Sequence, residues 1–474
     1  MPAIVAEFYG APLGNRLRNR RLERVVAAVS LMPGNSFPRM FSTDADLEGF
    51  YRFLGRDGYS PSDIMEPHVQ RTYERIAAER TAIVAHDTSE FEFSGEVERD
   101  GLGRLRGNDQ GFLGHFSLAI SVDSRRPLGV LAMRTWARTG PVRSRKNGRR
   151  RNGGDYAKDT EKESTRWREA VEEVEARTDA SLIHVMDREA DAYPLLVRMA
   201  EASRRFVVRL ARDRAVGAET VVGERDRISD VLTCAPRYAV REVPISRRKA
   251  ESAPGSRRFA ARQGRIARLS IRAMPLAIQR PNYSGASLPK WLPLHVVHVV
   301  EEKAPEGEKP IDWMLLTTEP IETEADVLAV IDYYRARWVI EEYFKTLKVG
   351  CAVEKRQLES YESLCRALAI FVPIAWKLLE LRTVTRTTPD RPATDVLSRV
   401  QIDVLRHCGP AKLPPHPTVR DALLAVAKLG GHIKNNGEPG WQVIGRGFEQ
   451  LLTLEAGWAA AVDAATKARK GDQS

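Results

Sequence analysis

The sequence predicts an α/β fold in which a sheet-forming middle is flanked by helical ends. Three observations carry this. From Thr81 onward the chain breaks into runs that are apolar throughout or alternate at period two, as strands do. The stretches before and after, GNRLRNRRLERVVAAVSLM near the start and everything beyond ADVLAVIDYYRARW, carry helical spacing instead. In the middle, the helical WREAVEEVEART leads into SLIHVMDREADAYPLLVRMAEAS, a buried strand ending at Asp187 with a helix after it.

With 474 residues and 43% hydrophobic composition, the chain can bury sizeable cores in two to four domains. Lys and Arg number 74 against 63 Asp and Glu, a formal charge of +11, which points to an anionic partner, nucleic acid first. Cys234, Cys351, Cys365 and Cys408 are scattered with no C-x-x-C pair, which argues against a disulfide framework or a zinc cluster and suits a reducing compartment. MPAIVAEFYG has no basic n-region ahead of an apolar run, and the longest apolar run, Ala367 to Trp376, is too short for a bilayer and contains Pro373. A soluble intracellular protein is expected.

The elements follow in order. Arg16, Arg18, Arg20, Arg21 and Arg24 precede an apolar stretch in the first helix, a solvated face or a phosphate-contacting arm. DLEGFYRFLGRDGYSPSDIMEPHVQRT gives two short helices around a Gly/Ser/Pro turn. TAIVAHDTSEFEFSG, HFSLAISVDS and PLGVLAMRTWART form an antiparallel meander. The Arg- and Gly-rich stretch from Thr139 to Asp155 reads as a mobile basic loop. RRFVVRLARD opens a second β-rich section, in which YAVREVPIS, GRIARLSIRAMPL and PLHVVHVVEE alternate between turn clusters such as APGS. Arg268, Ser270 and Arg272 share one face there, opposite Ala267, Leu269 and Ile271. WMLLTTEPIET is a further strand and turn, followed by the long helix containing YRARWVIEEYFKTLK.

That last stretch holds the chemistry. On one continuous helix, Tyr334, Arg337, Glu341, Lys345 and Lys348 would share an arc of roughly 80°. Ile340, Tyr343, Phe344 and Leu347 would form the adjoining buried stripe. Glu341 is thus a lone carboxylate among cations and aromatics. Asp87 after IVAH and Asp187 after IHVM stand where a buried strand presents a side chain to a crevice, although each alone could be a turn former or a helix N-cap. Three carboxylates suffice to hold two Mg²⁺ ions, with water and phosphate oxygens completing their shells. Such a pair serves in-line displacement at phosphorus, while Arg and Lys grip the backbone. His86 reads as a satisfied structural histidine, and His295 and His298 lie on opposite strand faces. Metalloprotease, P-loop and serine-hydrolase signatures are absent from the sequence.

The spacing Tyr334-x-x-Arg337-x-x-x-Glu341-x(6)-Lys348 resembles the Y-R-E-K signature of bacterial insertion-sequence DDE transposases, in the hairpin-forming cut-and-paste subgroup with a β-rich insertion. HDTSEF at Asp87 and MDREADAY at Asp187 resemble that family's aspartate motifs, and EGFYRFL, EKES with Trp167, RFVVR, WMLLTTEP and AVAKLGGHIKN extend the likeness over nearly the whole chain.

The resemblance implies a ribonuclease H-like catalytic core at 76–209 and 311–384 and a β-rich insertion at 210–310. Flanking these it implies a helical DNA-binding region at 1–75 and a helical, dimer-forming region at 385–474. It implies Asp87, Asp187 and Glu341 as the catalytic, metal-binding triad for two Mg²⁺ ions, with Mn²⁺ able to substitute. It implies DNA contacts from Tyr334, Arg337, Lys345, Lys348 and Arg209, with Trp313 filling the space of a flipped base. The partners would be the element's terminal inverted repeats, target DNA and a second copy, and the location the bacterial cytoplasm, at the nucleoid. The alternative is a catalytically inactive DNA-binding relic or regulator. A plain nuclease with the same metal site is a weaker third reading.

Overall fold

The structure, a computed structural model, describes residues 3–95, 98–105, 109–138, 163–217, 227–245, 247, 263–282, 284–433, 439 and 441–471. The predicted basic loop Thr139–Asp155 and the APGS turn lie outside them. After a short 3-10 turn, Ala3–Phe8, come α1 (Arg16–Leu31), α2 (Phe37–Met40), α3 (Asp44–Leu54) and α4 (Pro61–Glu79). Their starts are written in the sequence. Asn15 accepts from the Arg18 N–H, Thr43 from that of Asp46, and Ser60 forms a capping box with Asp63 ahead of Pro61.

The middle is one mixed sheet. Its elements are β1 (Thr81–Phe93), β2 (Gly103–Arg104), β3 (Gln110–Ser121), β4 (Pro127–Trp136), α5 (Glu163–Glu175), β5 (Ser181–Met186), α6 (Tyr193–Glu201), β6 (Arg205–Arg209), α7 (Ile228–Val231), β7 (Arg237–Ile245), β8 (Arg265–Gln279), β9 (Trp291–Glu301) and β10 (Asp312–Thr317). The strand order is β2-β3-β1-β5-β6-β10-β9-β8-β7, with β4 also pairing β3. β3 lies antiparallel to β1, whereas β1, β5 and β6 run parallel. β10 returns antiparallel to β6 and joins β9, so the strands of the second β-rich section extend the first sheet. On β8, Ala267, Leu269 and Ile271 are buried while Arg268 is exposed, as the alternation requires.

The rest is helical: α8 (Glu324–Ala336), α9 (Trp338–Lys345), α10 (Tyr361–Thr387), α11 (Arg399–Cys408), α12 (Val419–Leu429) and α13 (Trp441–Gly471). One hydrophobic core runs from Ile4 through the sheet to Leu379 and takes in residues of the N-terminal helices. A second gathers Trp167, Tyr193, Phe206 and Leu316, and a third joins the C-terminal helices around Val404 and Leu451. Among the described residues, no helix is long and apolar enough to cross a membrane.

The helix expected to run unbroken through Tyr334 to Lys348 is interrupted. α8 stops at Ala336, α9 starts at Trp338, and a π-helical turn covers Thr346–Gly350. At the junction the Arg337 N–H reaches back only to the Tyr334 carbonyl (3.2 Å), and the Ile340 N–H to that of Arg337 (3.0 Å). Arg337 keeps helical dihedrals (φ −50, ψ −31), but Tyr334 and Arg337 are both buried, so the five residues do not share one exposed arc. Ile340, Tyr343, Phe344 and Leu347 are buried as expected, but so is Tyr334.

Candidate functional site

β1 and β5 pair in parallel with Thr81 opposite Ser181 and Ala85 opposite Val185. Continuing that register by two residues sets Asp87 beside Asp187, just past the last paired positions. Each carboxylate is anchored locally: Asp87 Oδ1 accepts the Thr88 N–H (2.8 Å), and Asp187 Oδ1 accepts that of Glu189 (2.8 Å) while capping a 3-10 turn. Glu341 comes from the first turn of α9, which packs on β1.

Arg337 joins them. Its Nη1 donates to Asp87 Oδ2 at 3.1 Å and its Nη2 to Glu341 Oε1 at 2.6 Å, and its side chain is only 9% exposed. Burial pushes the Asp87 carboxyl up, to about 7, although the Arg337 charge opposes the rise; the nearby charges of Asp187 and Glu341 add to it. Asp87 therefore feels the other two carboxylates, and a guanidinium stands between it and Glu341. Among the described residues, no three His, Cys, Asp or Glu side chains stand close enough as they are to hold a metal ion. The donor set is all oxygen, which suits a hard divalent ion, and the guanidinium is a cation already resident between Asp87 and Glu341.

Beneath the carboxylates lies a chain of buried polar groups. Ser117 Oγ meets His86 Nδ1 (3.0 Å), His86 Nε2 meets His184 Nδ1 (2.9 Å), and His184 Nε2 meets Glu175 (2.8 Å), which pairs with Arg204 (2.7 Å). This chain ties β3, β1 and β5 together. Burial holds His86 well below its ordinary range, so His86 is a satisfied neutral histidine. His295 bonds the Glu319 carbonyl and His298 bonds Asp312, so these two have separate partners.

Of the residues proposed to meet DNA, Arg209, Trp313, Tyr334 and Arg337 line one cavity of about 480 Å³, together with Arg125, Arg335 and Trp338. Trp313 and Tyr334 meet edge to face at 5.4 Å, and Arg209 Nη2 bonds the Asp312 carbonyl at 2.9 Å. Lys345 and Lys348 are not among the residues lining it. Lys345 is exposed and pairs with Glu342 (3.4 Å), while Lys348 pairs with Glu354 (3.0 Å) and bonds the Glu90 carbonyl. Sequence reasoning missed Arg335, visible as the first Arg of YRAR. It also missed Arg125, which sits in the β3–β4 turn and which only the fold brings near. Arg125, Arg241 and Arg335 all pair with Asp332, at 2.9, 3.0 and 3.2 Å.

A second cationic surface lies near the N-terminus. Arg18, Arg20, Arg21, Arg24, Arg52 and Arg56 line a cleft of about 560 Å³ between α1 and the end of α3. Arg52 and Arg56 were not singled out from the sequence, although their spacing by four residues was the available signal.

Two family models match the chain. Residues 156–371 match the transposase DDE domain and residues 1–59 the transposase DNA-binding region. The first match contains Asp187 and Glu341, while Asp87 lies before it. The cryo-EM structure of piggyBac transposase synaptic complex with hairpin DNA aligns over 84% of this chain and 77% of that one, at 10% identity and a TM-score of 0.34. The chain thus has the two parts of a transposase, a DNA-binding region and a DDE domain. A DDE domain has a ribonuclease H-like core, and such domains use divalent metal ions.

Proposed function

We propose that this transposase cuts and pastes its own mobile element, with Asp87, Asp187 and Glu341 as the catalytic carboxylates. The observation that carries the reading is the parallel register of β1 and β5. It sets two aspartates a hundred residues apart side by side, with Glu341 linked to the first through Arg337. These carboxylates would hold Mg²⁺, two ions in this reading. The metal, when bound, supplies Lewis-acid activation of the attacking oxygen and stabilisation of the leaving one.

The chemistry is phosphoryl transfer in which one P–O bond forms as another breaks. Water nicks one strand at the element end, and the freed 3′-hydroxyl attacks the opposite strand to release the element through a DNA hairpin. After the hairpin is opened, the same hydroxyl attacks target DNA. The chain's own groups bind and orient. Trp313, over Tyr334, offers an aromatic face to an extruded base, and Arg209 and Arg337 lie where flanking phosphates would pass. Lys345 and Lys348 would touch phosphates farther along, as point charges. The N-terminal arginine cleft would hold the element's terminal repeat through backbone contacts that fix register.

In this reading 1–75 form the DNA-binding region, 76–209 and 311–384 the catalytic core, 210–310 the β-rich insertion, and 385–474 the helices that support a homodimer pairing two ends. The bacterial nucleoid would be its working place. Short inverted repeats bounded by direct repeats should flank the gene and supply the substrate. Incubated with those ends and Mg²⁺, the purified protein should give nicked, hairpin and joined products. Alanine at Asp87, Asp187 or Glu341 should abolish nicking while end binding, read by gel shift, stays within about threefold. Normal cutting by any of the three variants would remove that residue from the site. A wild-type protein that binds the ends and never nicks them would be a regulator instead.

A further inference from the structure

Arg337 does something here that a DNA-contacting arginine need not do. Its guanidinium, a charge that is never lost in a protein, sits between Asp87 and Glu341 and is almost entirely buried. The oxygens it occupies are two of those a divalent ion would need. A guanidinium held in place would also face that ion as a like charge at close range. Metal entry and this ion pair are therefore alternatives.

The same side chain has somewhere to go. It lines the cavity shared with Arg209, Trp313 and Tyr334, and its Nε is buried with no hydrogen-bond partner. An orphaned buried donor is costly and marks a side chain with bonding capacity left to use. It also stands at the junction of α8 and α9, where the helical hydrogen bonding is already interrupted. A phosphate in the cavity could take the guanidinium in a two-pronged grip that pairs its charge as well as the carboxylates do.

We infer that Arg337 is a resident counter-cation that keeps Asp87 and Glu341 closed to divalent metal until a DNA phosphate draws it into the adjoining cavity. Metal and DNA then load cooperatively, each raising affinity for the other by the same factor. An enzyme built this way carries no loaded metal centre while off its DNA. The inference rests on the proposed reading of the three carboxylates as metal ligands.

Mn²⁺ binding to the full-length protein without DNA, followed by electron paramagnetic resonance of the free ion and by calorimetry, tests it without any cleavage assay. Arg337→Gln should bind Mn²⁺ about tenfold or more tighter than wild type, and Arg337→Lys should fall between them. Equal affinity of wild type and R337Q overturns the latch. Asp187→Ala in the R337Q background separates this failure from a failure of the site. Arg337 makes no bond to Asp187, so loss of Mn²⁺ binding in the double variant keeps the ligand assignment whatever the latch does. Unchanged binding there would refute the assignment itself. Should R337Q not fold, wild type suffices: its Mn²⁺ affinity must rise about tenfold when the element-end duplex is added, and an unchanged affinity overturns the inference.

Discussion

Glu7 shows how a single side chain fixes a pH limit on this protein. It is buried in the first turn of the chain and accepts from His68 Nδ1 (2.5 Å) and from both terminal nitrogens of Arg75 (3.0 and 3.1 Å). His68 Nε2 in turn accepts the Val130 N–H (3.0 Å), so its single proton sits on Nδ1 and the ring is neutral. Burial pushes the Glu7 carboxyl up, but the hydrogen bonds and charges of His68 and Arg75 outweigh it and bring it down to about 2. Burial also holds His68 below its ordinary range, against the pull of Glu7. Both groups resist protonation in the folded state. The stability Glu7 contributes is complete above its ordinary value of 4.5 and lost as pH falls toward about 2, on the order of 3 kcal/mol. His68 adds loss of the same sign below 6.5. Urea unfolding from pH 6 to 2 should therefore show a steep acid limb in wild type and a flatter one in Glu7→Gln. Parallel limbs would mean that the pairing carries none of it.

At the scale of elements, the strands were legible because a half-buried strand writes its two faces into alternate residues, as β8 does. That Asp87 and Asp187 lie near one another was legible only through the family resemblance and not from the strand patterns, because register between distant strands leaves no local mark. Nor was the break at Arg337: periodicity reports which residues face the core, not where the backbone bonds tighten from i−4 to i−3. Elements also meet where the sequence shows only a glycine. Gly129 on β4 has φ +152, and a Cβ there would lie 1.9 Å from Thr72 Oγ1 of α4. Gly129→Ala should cost about 2–4 kcal/mol, from strain and from pushing α4 off the strand. The polar chain below the carboxylates makes a second prediction. His184→Ala leaves His86 and Glu175 buried without their shared partner and should cost about 2–3 kcal/mol. Without the bond between β1 and β5, nicking should also slow more than end binding weakens. A denaturant midpoint unmoved by either substitution would contradict these contacts.

Across the whole molecule, the DNA-binding region and the DDE domain are tied together in part by an arginine whose role no motif announces. Arg356 follows the π-helical turn after α9 and is buried. It donates to the carbonyls of Pro33 (2.5 Å), Asn35 and Cys351, with its guanidinium 4.8 Å from the Phe37 ring and 4.6 Å from that of Phe371. One planar fork thus satisfies backbone on both sides of the junction between residues 33–37 and the segment beyond Glu341, while two aromatic faces hold it flat. Arg356→Ala would strand buried carbonyls and empty the space between the rings, and should lower stability by roughly 3–5 kcal/mol. Lys restores a charge but neither the fork nor the stacking, so Arg356→Lys should recover less than half of that stability. The damage should be directional. Limited proteolysis of R356A should cut between α1 and α3 before the sheet opens, because the guanidinium's bonds to Pro33 and Asn35 and its packing on Phe37 seat this stretch against α10. Uniform digestion of R356A, at the wild-type rate, would show that the two regions are held together without Arg356, by apolar packing and by the Arg366 bond to the Leu54 carbonyl (2.8 Å).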